Sequence, residues 1–496
     1  DGYGAPLLVE TGSYNYDQSV WRAHALSTAG HNTILINGLG QNRRHLGTEQ
    51  PPFKKEDAVW ISNPLFDYGS GRYDEGYGER NQFAAVHNRE VIFVKPNYWL
   101  VKDVVTGPEG RHQIESLYHF RADELEADYE KGIFKTNLQY SPNLLLQKVD
   151  TNTPLKYEVA KGKENPMRGW IAGSHQPIPT VIVKQEGAFP LTQTMLLHPF
   201  PEQVQPVEAK PLQPVGVKGW DGWAVAVKSP ASDDLVVVQP KLQELKFDNH
   251  MTTVAARIFV ERDFTDRQYW AVEGWKKLEN GYFAVEAKNG TGSQLNIIRS
   301  GSSHYLLSNP GSEVAQISLQ LKEAADNLCA YYLDSEFSRT DSAVTLEGQQ
   351  IAITLAPGQM LEVTADKGAK LPITRLMPED RYEQEIEIAP YASLPYHNVL
   401  RTWELKEVLK IQGEDFSEER GGKVTIVSDK IGAEGKAFKD WDPYGHTLSW
   451  DLEVKEAGLY AFSFRYCAET PAVRQLLIDG EIPFHEADEI LFPSTG

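Results

Sequence analysis

Hydrophobic positions along the chain repeat with a period of two. From His446 to Val454, Leu448, Trp450, Leu452 and Val454 alternate with Thr447, Ser449, Asp451 and Glu453, the pattern of a strand with one face buried and the other in water. Residues Arg89 to Val105 predict a hairpin. Val91-Ile92-Phe93-Val94 and Tyr98-Trp99-Leu100-Val101 are rich in β-branched and aromatic side chains, and Lys95-Pro96-Asn97 between them supplies the turn. Further strands are predicted at Thr180 to Val183, Leu235 to Val238, Ala255 to Val260, Leu295 to Ile298 and Ile351 to Leu355. No amphipathic helical pattern persists for about twelve residues, and Leu321 to Asn327 holds one or two turns at most. The predicted class is all-β, built as antiparallel sandwiches.

Breaks in this pattern predict the organisation. Over residues 366–403 the alternation gives way to a charged stretch containing Pro372, Pro378, Pro390 and Pro395, and it resumes near Leu405. The expected domains are a large sandwich over 1–375, a linker over 376–404 and a smaller β-domain over 405–496. A second run of prolines, Pro199, Pro201, Pro206, Pro211 and Pro214, predicts a crossing between two sheets of one sandwich.

Charge narrows the function. The 496 residues carry 49 Lys and Arg against 69 Asp and Glu, a net charge of -20, so nucleic acid and acidic membrane surfaces are not expected partners. No run approaches the roughly 18 consecutive apolar residues of a membrane helix. The two cysteines, Cys329 and Cys467, fall in different predicted domains and frame neither a disulfide scaffold nor a cysteine-based zinc site. The opening Asp1-Gly2-Tyr3-Gly4 has no initiator Met and no leader pattern, so a fragment of a longer protein is expected.

Against this acidic background, residues 18–48 contain no Asp or Glu and hold Arg22, His24, His31, Arg43, Arg44 and His45. A local cationic island suits the approach of an anionic ligand; the alternative is a chance run on a loop. Inside it, Ser27-Thr28-Ala29-Gly30-His31-Asn32-Thr33 leads into the strand Ile34-Leu35-Ile36-Asn37-Gly38.

The island is one of an ordered series of segments. Upstream lies Val9-Glu10-Thr11-Gly12-Ser13-Tyr14, and downstream Phe66-Asp67-Tyr68-Gly69 through Tyr73-Asp74-Glu75-Gly76-Tyr77, His87-Asn88-Arg89 through Lys102-Asp103, Arg168-Gly169-Trp170 and Thr194-Met195-Leu196-Leu197-His198-Pro199. The series, over roughly residues 1 to 375, resembles the β-sandwich half of the heparinase II/III-like polysaccharide lyases. The resemblance implies an (α/α) toroid, absent from this chain, that would face the sandwich across a cleft holding an acidic, uronic-acid-containing polysaccharide such as a glycosaminoglycan. It also implies a periplasmic or secreted location. The implied reaction is β-elimination, in which a base takes the C5 proton beside the carboxylate and the C4 oxygen leaves. That proton is weakly acidic while the carboxylate stays charged, so the site must quiet the developing enolate with hydrogen bonds or positive charge.

Residue by residue, the resemblance implies His31 as a catalytic group. It further implies a divalent metal, zinc or calcium, held by Glu10 and His31 together with a histidine that would precede residue 1. Glu10 stands where an Asp is usual, one methylene longer. Arg22, Asn32, Tyr77 and Arg89 are the expected substrate contacts in the sandwich. The alternatives are a structural hydrogen-bonding role for His31, a solvated acid for Glu10, turn chemistry for the Tyr73 to Tyr77 loop and a buried polar network for His87 and Arg89. From Val408 onward, Ile411-Gln412-Gly413-Glu414, Trp441-Asp442-Pro443-Tyr444-Gly445-His446 and Leu477-Ile478-Asp479-Gly480 resemble the first strands of a galactose-binding-like carbohydrate-binding jelly roll, here incomplete. That resemblance implies a sugar platform at Trp441 and a calcium near Glu414. The expected function is therefore a polysaccharide lyase, nearly inactive as this fragment alone, with a non-catalytic glycan-binding protein as the alternative.

Overall fold

The computed structural model describes residues 6–364 and 409–492, apart from 13, 15, 43–57, 139–141, 201–205, 249, 302–303, 323–327, 335–337, 345–349, 429, 431–434, 442–444, 455–461, 463, 468–471, 481, 483–486 and 488–489. The expected linker over 376–404 lies outside the described residues, as do Arg43, Arg44, His45 and Tyr444. The chain divides into two compact units, Asp1–Leu394 and Pro395–Gly496.

In the first unit the chain enters through a short helix, α1 (Val20–Ala25), whose N-cap Ser19 accepts a hydrogen bond from the Arg22 amide. Sixteen strands then follow: β1 (Ile34–Ile36), β2 (Ala58–Ser62), β3 (Phe66–Tyr73), β4 (Val86–Val94), β5 (Tyr98–Thr106), β6 (Arg111–His119), β7 (Glu126–Asp128), β8 (Ile133–Lys135), β9 (Asn143–Thr151), β10 (Leu155–Ala160), β11 (Lys163–Glu164), β12 (Met167–Arg168), β13 (Trp170–Ile171), β14 (Gln176–Pro177), β15 (Thr180–Ala188) and β16 (Leu191–Phe200). A four-stranded sheet is ordered β1-β6-β15-β10, and an eight-stranded sheet β2-β3-β4-β5-β16-β9-β8-β7. All pairings within both are antiparallel. β4 and β5 form the hairpin expected around Lys95-Pro96-Asn97.

The alternation on β5 shows how the layers assemble. Tyr98 and Leu100 point into one core with Phe66, Ile92 and Leu196, whereas Val101 and Val105 point the other way, toward the four-stranded sheet. Between the two sheets, Val101, Leu144, Leu146, Met195 and Leu197 meet Tyr118, Phe120, Val181 and Val183. Asp103 shares the inward face of β5 with Val101 and Val105, since side chains two apart along a strand project to the same side.

After β16 the chain crosses to a third, larger sheet of fourteen strands, at the position where the prolines of residues 199–214 predict a crossing. Its main path runs from Glu208–Leu212 through Trp223–Lys228, Asp233–Val238, Thr253–Asp263, Arg267–Glu279, Gly292–Ser300, His304–Ser308 and Met360–Thr364 to Cys329–Leu333 and Arg339–Val344. Both of its faces are covered. Val225, Val236, Val238, Val260 and Ala271 pack against the eight-stranded sheet, while their neighbours Ala224, Leu235, Val237, Phe259, Trp270 and Val272 pack into a separate core with Phe283, Ile317, Ile351 and Leu361. Covering on both sides explains why Leu235 to Val238 is apolar without interruption.

The second unit contains three short antiparallel pairs among its described residues: Glu418–Arg420 with Thr447–Ser449, Thr425–Val427 with Ala437–Lys439, and Ala472–Arg474 with Ile490–Phe492. Among the described residues, the strand expected from His446 to Val454 is confined to Thr447–Ser449, paired with Glu418–Arg420, and Leu452 and Val454 are exposed.

Candidate functional site

Three segments meet at the start of β1. The loop Gly30 to Thr33 delivers His31 and Asn32. The segment Val9 to Thr11 runs alongside it, with the Thr11 amide donating to the Gly30 carbonyl and the Val9 amide donating to the His119 carbonyl at the end of β6. Gly30 is required here, since a Cβ would lie 2.6 Å from the His24 carbonyl oxygen and 2.9 Å from Thr11 Oγ1.

At this junction His31 Nδ1–H donates to Glu10 Oε2, with both side chains about half exposed. The hydrogen bond from Glu10 raises the His31 pKa above its ordinary value despite partial burial, and the Glu10 charge adds to the effect. Burial alone would raise the Glu10 pKa, but the hydrogen bonds from His31 and Asn32 hold it below the ordinary range. The pair is therefore a carboxylate and an imidazole biased toward the imidazolium, open to solvent.

Asn32 is the hub beside this pair. Its Nδ2 donates to the Val9 carbonyl at 2.9 Å and to Glu10 Oε1 at 3.1 Å, and its Oδ1 accepts from the His119 amide at 2.8 Å. Its main-chain carbonyl accepts from Arg89 Nη1. Arg89 in turn forks onto Asp103, Nε to Oδ1 at 2.7 Å and Nη2 to Oδ2 at 3.0 Å. His87 Nε2–H donates to the same Asp103 Oδ1 at 2.7 Å. Asp103 is fully buried, and burial alone would raise its pKa; the Arg89 charge and the hydrogen bonds from His87 and Arg89 overturn that and keep the carboxyl ionised, well below the carboxylate range.

Two further histidines lie behind the site. His119 is fully buried, pairs through Nδ1 with Thr180 Oγ1 at 2.7 Å and leaves Nε2 without a partner; burial drives its pKa down to about 4. His24 is also buried, with its pKa lowered first by burial and then by the Arg168 charge. To one side is a cluster of rings. Trp21 of α1 stacks on His175 at 4.0 Å and meets Trp170 edge-on at 5.2 Å, and Tyr14 Oη lies 3.0 Å from His175 Nε2.

The expected site residues are thus placed as follows. Glu10, His31, Asn32 and Arg89 are brought together. The Asn32 side chain is engaged with the protein through both its nitrogen and its oxygen, and Arg89 through three of its donors. Tyr77 requires a correction. Its ring is fully buried with Ile34, Ile36, Ala85 and Val105, and its hydroxyl accepts from Gln41 Nε2 at 3.4 Å, so no surface remains for a sugar. Arg22 lies on α1 with its guanidinium 4.6 Å from the centre of the exposed Tyr16 ring. Trp441 belongs to the second unit; Arg474 covers its ring at 4.7 Å and its Nε1–H donates to the His446 carbonyl.

The metal expectation finds two donors, Glu10 and His31, and these are bonded to each other. No group of three His, Cys, Asp or Glu side chains arranged to hold an ion occurs among the described residues. The donors present do not by themselves make a metal site. Glu414 in the second unit accepts from the Lys436 amide at 3.1 Å.

Residues to which the sequence assigned no role are His119, Asp103 and the ring cluster. Asp103 left a trace, a charged residue alternating with Val101 and Val105 on an otherwise apolar strand face. His119 left none, because a buried His at a strand end reads like any polar terminus.

Residues 3–185 match the sequence profile of the family described as Heparinase II/III-like, C-terminal. No curated protein matches the chain. Among solved structures, heparan sulfate lyase HepC from Pedobacter heparinus is 15% identical, covering 48% of this chain and 35% of its own, with a TM-score of 0.36. A heparinase III gene product is 16% identical over 47% of this chain and 34% of its own, with a TM-score of 0.35. A further heparinase III structure is 14% identical over 44% of this chain and 31% of its own, with a TM-score of 0.32. The chain spans about a third of the length of these structures.

Proposed function

Taking residues 3–185 as a heparinase II/III-like C-terminal domain, we propose that this chain is the β-sandwich portion of a polysaccharide lyase that cleaves a uronic-acid-containing polysaccharide by β-elimination. The observation that carries the reading is the half-exposed Glu10–His31 pair, whose histidine lies in a stretch free of acids from residue 18 to 48 in a chain of net charge -20. Elimination beside a carboxylate builds negative charge on the sugar acid, and a fixed positive group at that spot lowers the barrier. His31 suits this role as an imidazolium: Glu10 fixes its ring orientation and favours its charged form. Arg22 adds a cation on the neighbouring helix for an anionic chain. The protein acts outside the cytoplasm in this reading, where such polysaccharides are met.

The test is a panel of acidic glycans, heparan sulfate, heparin and alginate among them, incubated with the full-length protein while ultraviolet absorbance follows unsaturated uronate. Product from at least one glycan is expected, with little from the isolated chain, since general acid–base groups contribute about 10²–10⁴-fold each and the toroid would supply the principal ones. Glycan binding without product from the full-length protein would replace the lyase by a glycan-binding protein.

A further inference from the structure

Glu10 and His31 are both referenced to Asn32, Glu10 by a side-chain hydrogen bond and His31 by its adjoining peptide. Asn32 is held in turn by its own carbonyl, which accepts from Arg89. Arg89 has little freedom, because Nε and Nη2 are taken by Asp103. Asp103 has less: it is 0% exposed, sits on the inward face of β5 and accepts a third hydrogen bond from His87. Each link is a directional contact of a planar group, and the series runs from the sealed interior between two sheets to the solvent-facing imidazole.

We propose that the Asp103–Arg89 fork is the positioning device of the His31 loop, acting through the Asn32 main-chain carbonyl, so that Arg89 governs the elimination without touching the glycan. The proposal rests on the lyase reading for its consequence in turnover, but not for the anchoring itself. The guanidinium is suited to this work by its shape: one edge grips a carboxylate with two donors while the remaining nitrogen is aimed at the carbonyl. A lysine carries the same charge and has neither the fork nor the aim. Asp103 has no surface through which to meet a substrate, so any effect of altering it must travel through Arg89 and His87.

These features separate positioning from substrate contact. Hydrogen–deuterium exchange read by mass spectrometry on this chain should show residues 30–33 and 117–119 exchanging about tenfold faster or more in Arg89→Lys and Asp103→Asn. Residues 253–279 of the large sheet should be unchanged. In the full-length protein both variants should lose about ten- to a hundredfold in kcat, as expected when a reacting group is misplaced by about an ångström, with KM within about twofold. Wild-type exchange at residues 30–33 in Arg89→Lys overturns the proposal. So does a raised KM with kept kcat in Arg89→Lys and a silent Asp103→Asn, which would make Arg89 a substrate contact. Should Asp103→Asn fail to fold, Arg89→Lys decides alone, since it leaves the buried carboxylate a cation. If the wild type eliminates nothing, the lyase reading fails while the exchange result still decides the anchoring.

Discussion

Two arginine–aspartate forks among the described residues of the first unit differ mainly in what lies at their far end. Arg262 donates to Asp234 through Nε at 3.0 Å and Nη2 at 2.7 Å, and through Nη1 to the Lys95 carbonyl, while Tyr98 Oη adds a hydrogen bond to Asp234 at 2.9 Å. Arg89 repeats the plan: two nitrogens to Asp103, the third to a main-chain carbonyl. The Arg262 fork is sealed, 1% exposed at both side chains, between the eight-stranded and fourteen-stranded sheets. The Arg89 fork keeps 22% exposure at the arginine and ends on a loop whose histidine faces solvent. One arrangement thus serves cohesion where both ends are packed and presentation where one end is open. Burial of the carboxylate is common to both; the exposure of what the third nitrogen holds decides the use.

The sealed fork gives the largest expected effect. Arg262→Met strands the Asp234 charge in the interior and should cost about 3–5 kcal/mol, seen as a lower urea midpoint for the first unit. A cost below about 1 kcal/mol would show that Asp234 finds another partner or takes up a proton there.

Acid should act next, and on the open side. His119 has its folded-state pKa lowered to about 4 against about 6.5 for a free histidine. Below pH 6.5 the unfolded chain therefore binds the proton that the folded chain refuses. Stability is full above that pH and falls as pH drops from 6.5 toward 4, by about 3 kcal/mol in total. Replacing His119 by Gln should flatten this part of the stability profile, measured by urea unfolding at several pH values. An unchanged slope would place a solvated imidazole at residue 119.

The smallest effect sharpens the correction at Tyr77. Because its hydroxyl makes a single long contact with Gln41, Tyr77→Phe should change stability by less than about 1 kcal/mol and glycan affinity by less than about twofold. A large loss of affinity in titration calorimetry would bring the ring out to the substrate.

Period-two alternation made the half-covered strands legible, and short uninterrupted apolar runs marked strands covered on both faces, as at Leu235 to Val238. The alternation overran at Leu452 and Val454, which continue it beyond Ser449 and are exposed; a local pattern does not say which residues find a partner. The Glu10–His31 pairing was legible only as a resemblance, since 21 positions separate the two residues. Arg89 and Asp103 were legible as strand residues, but their meeting depends on the register between β4 and β5, which pairs Arg89 with Asp103 and follows from turn geometry and packing rather than composition. The reading of Tyr77 as a loop contact missed that its loop folds back, with Tyr77 bridging both Gln41 and Phe83.

The central claim is that His31 is held at the surface for chemistry rather than for cohesion. Its direct test is His31→Ala in the full-length protein, with elimination rate and urea stability measured on the same preparation. A half-exposed pair contributes at most about 1 kcal/mol to folding, so the prediction is a rate loss of about a hundredfold or more with stability changed by less than that amount. Loss of folding in step with loss of rate would contradict it and make His31 a structural residue.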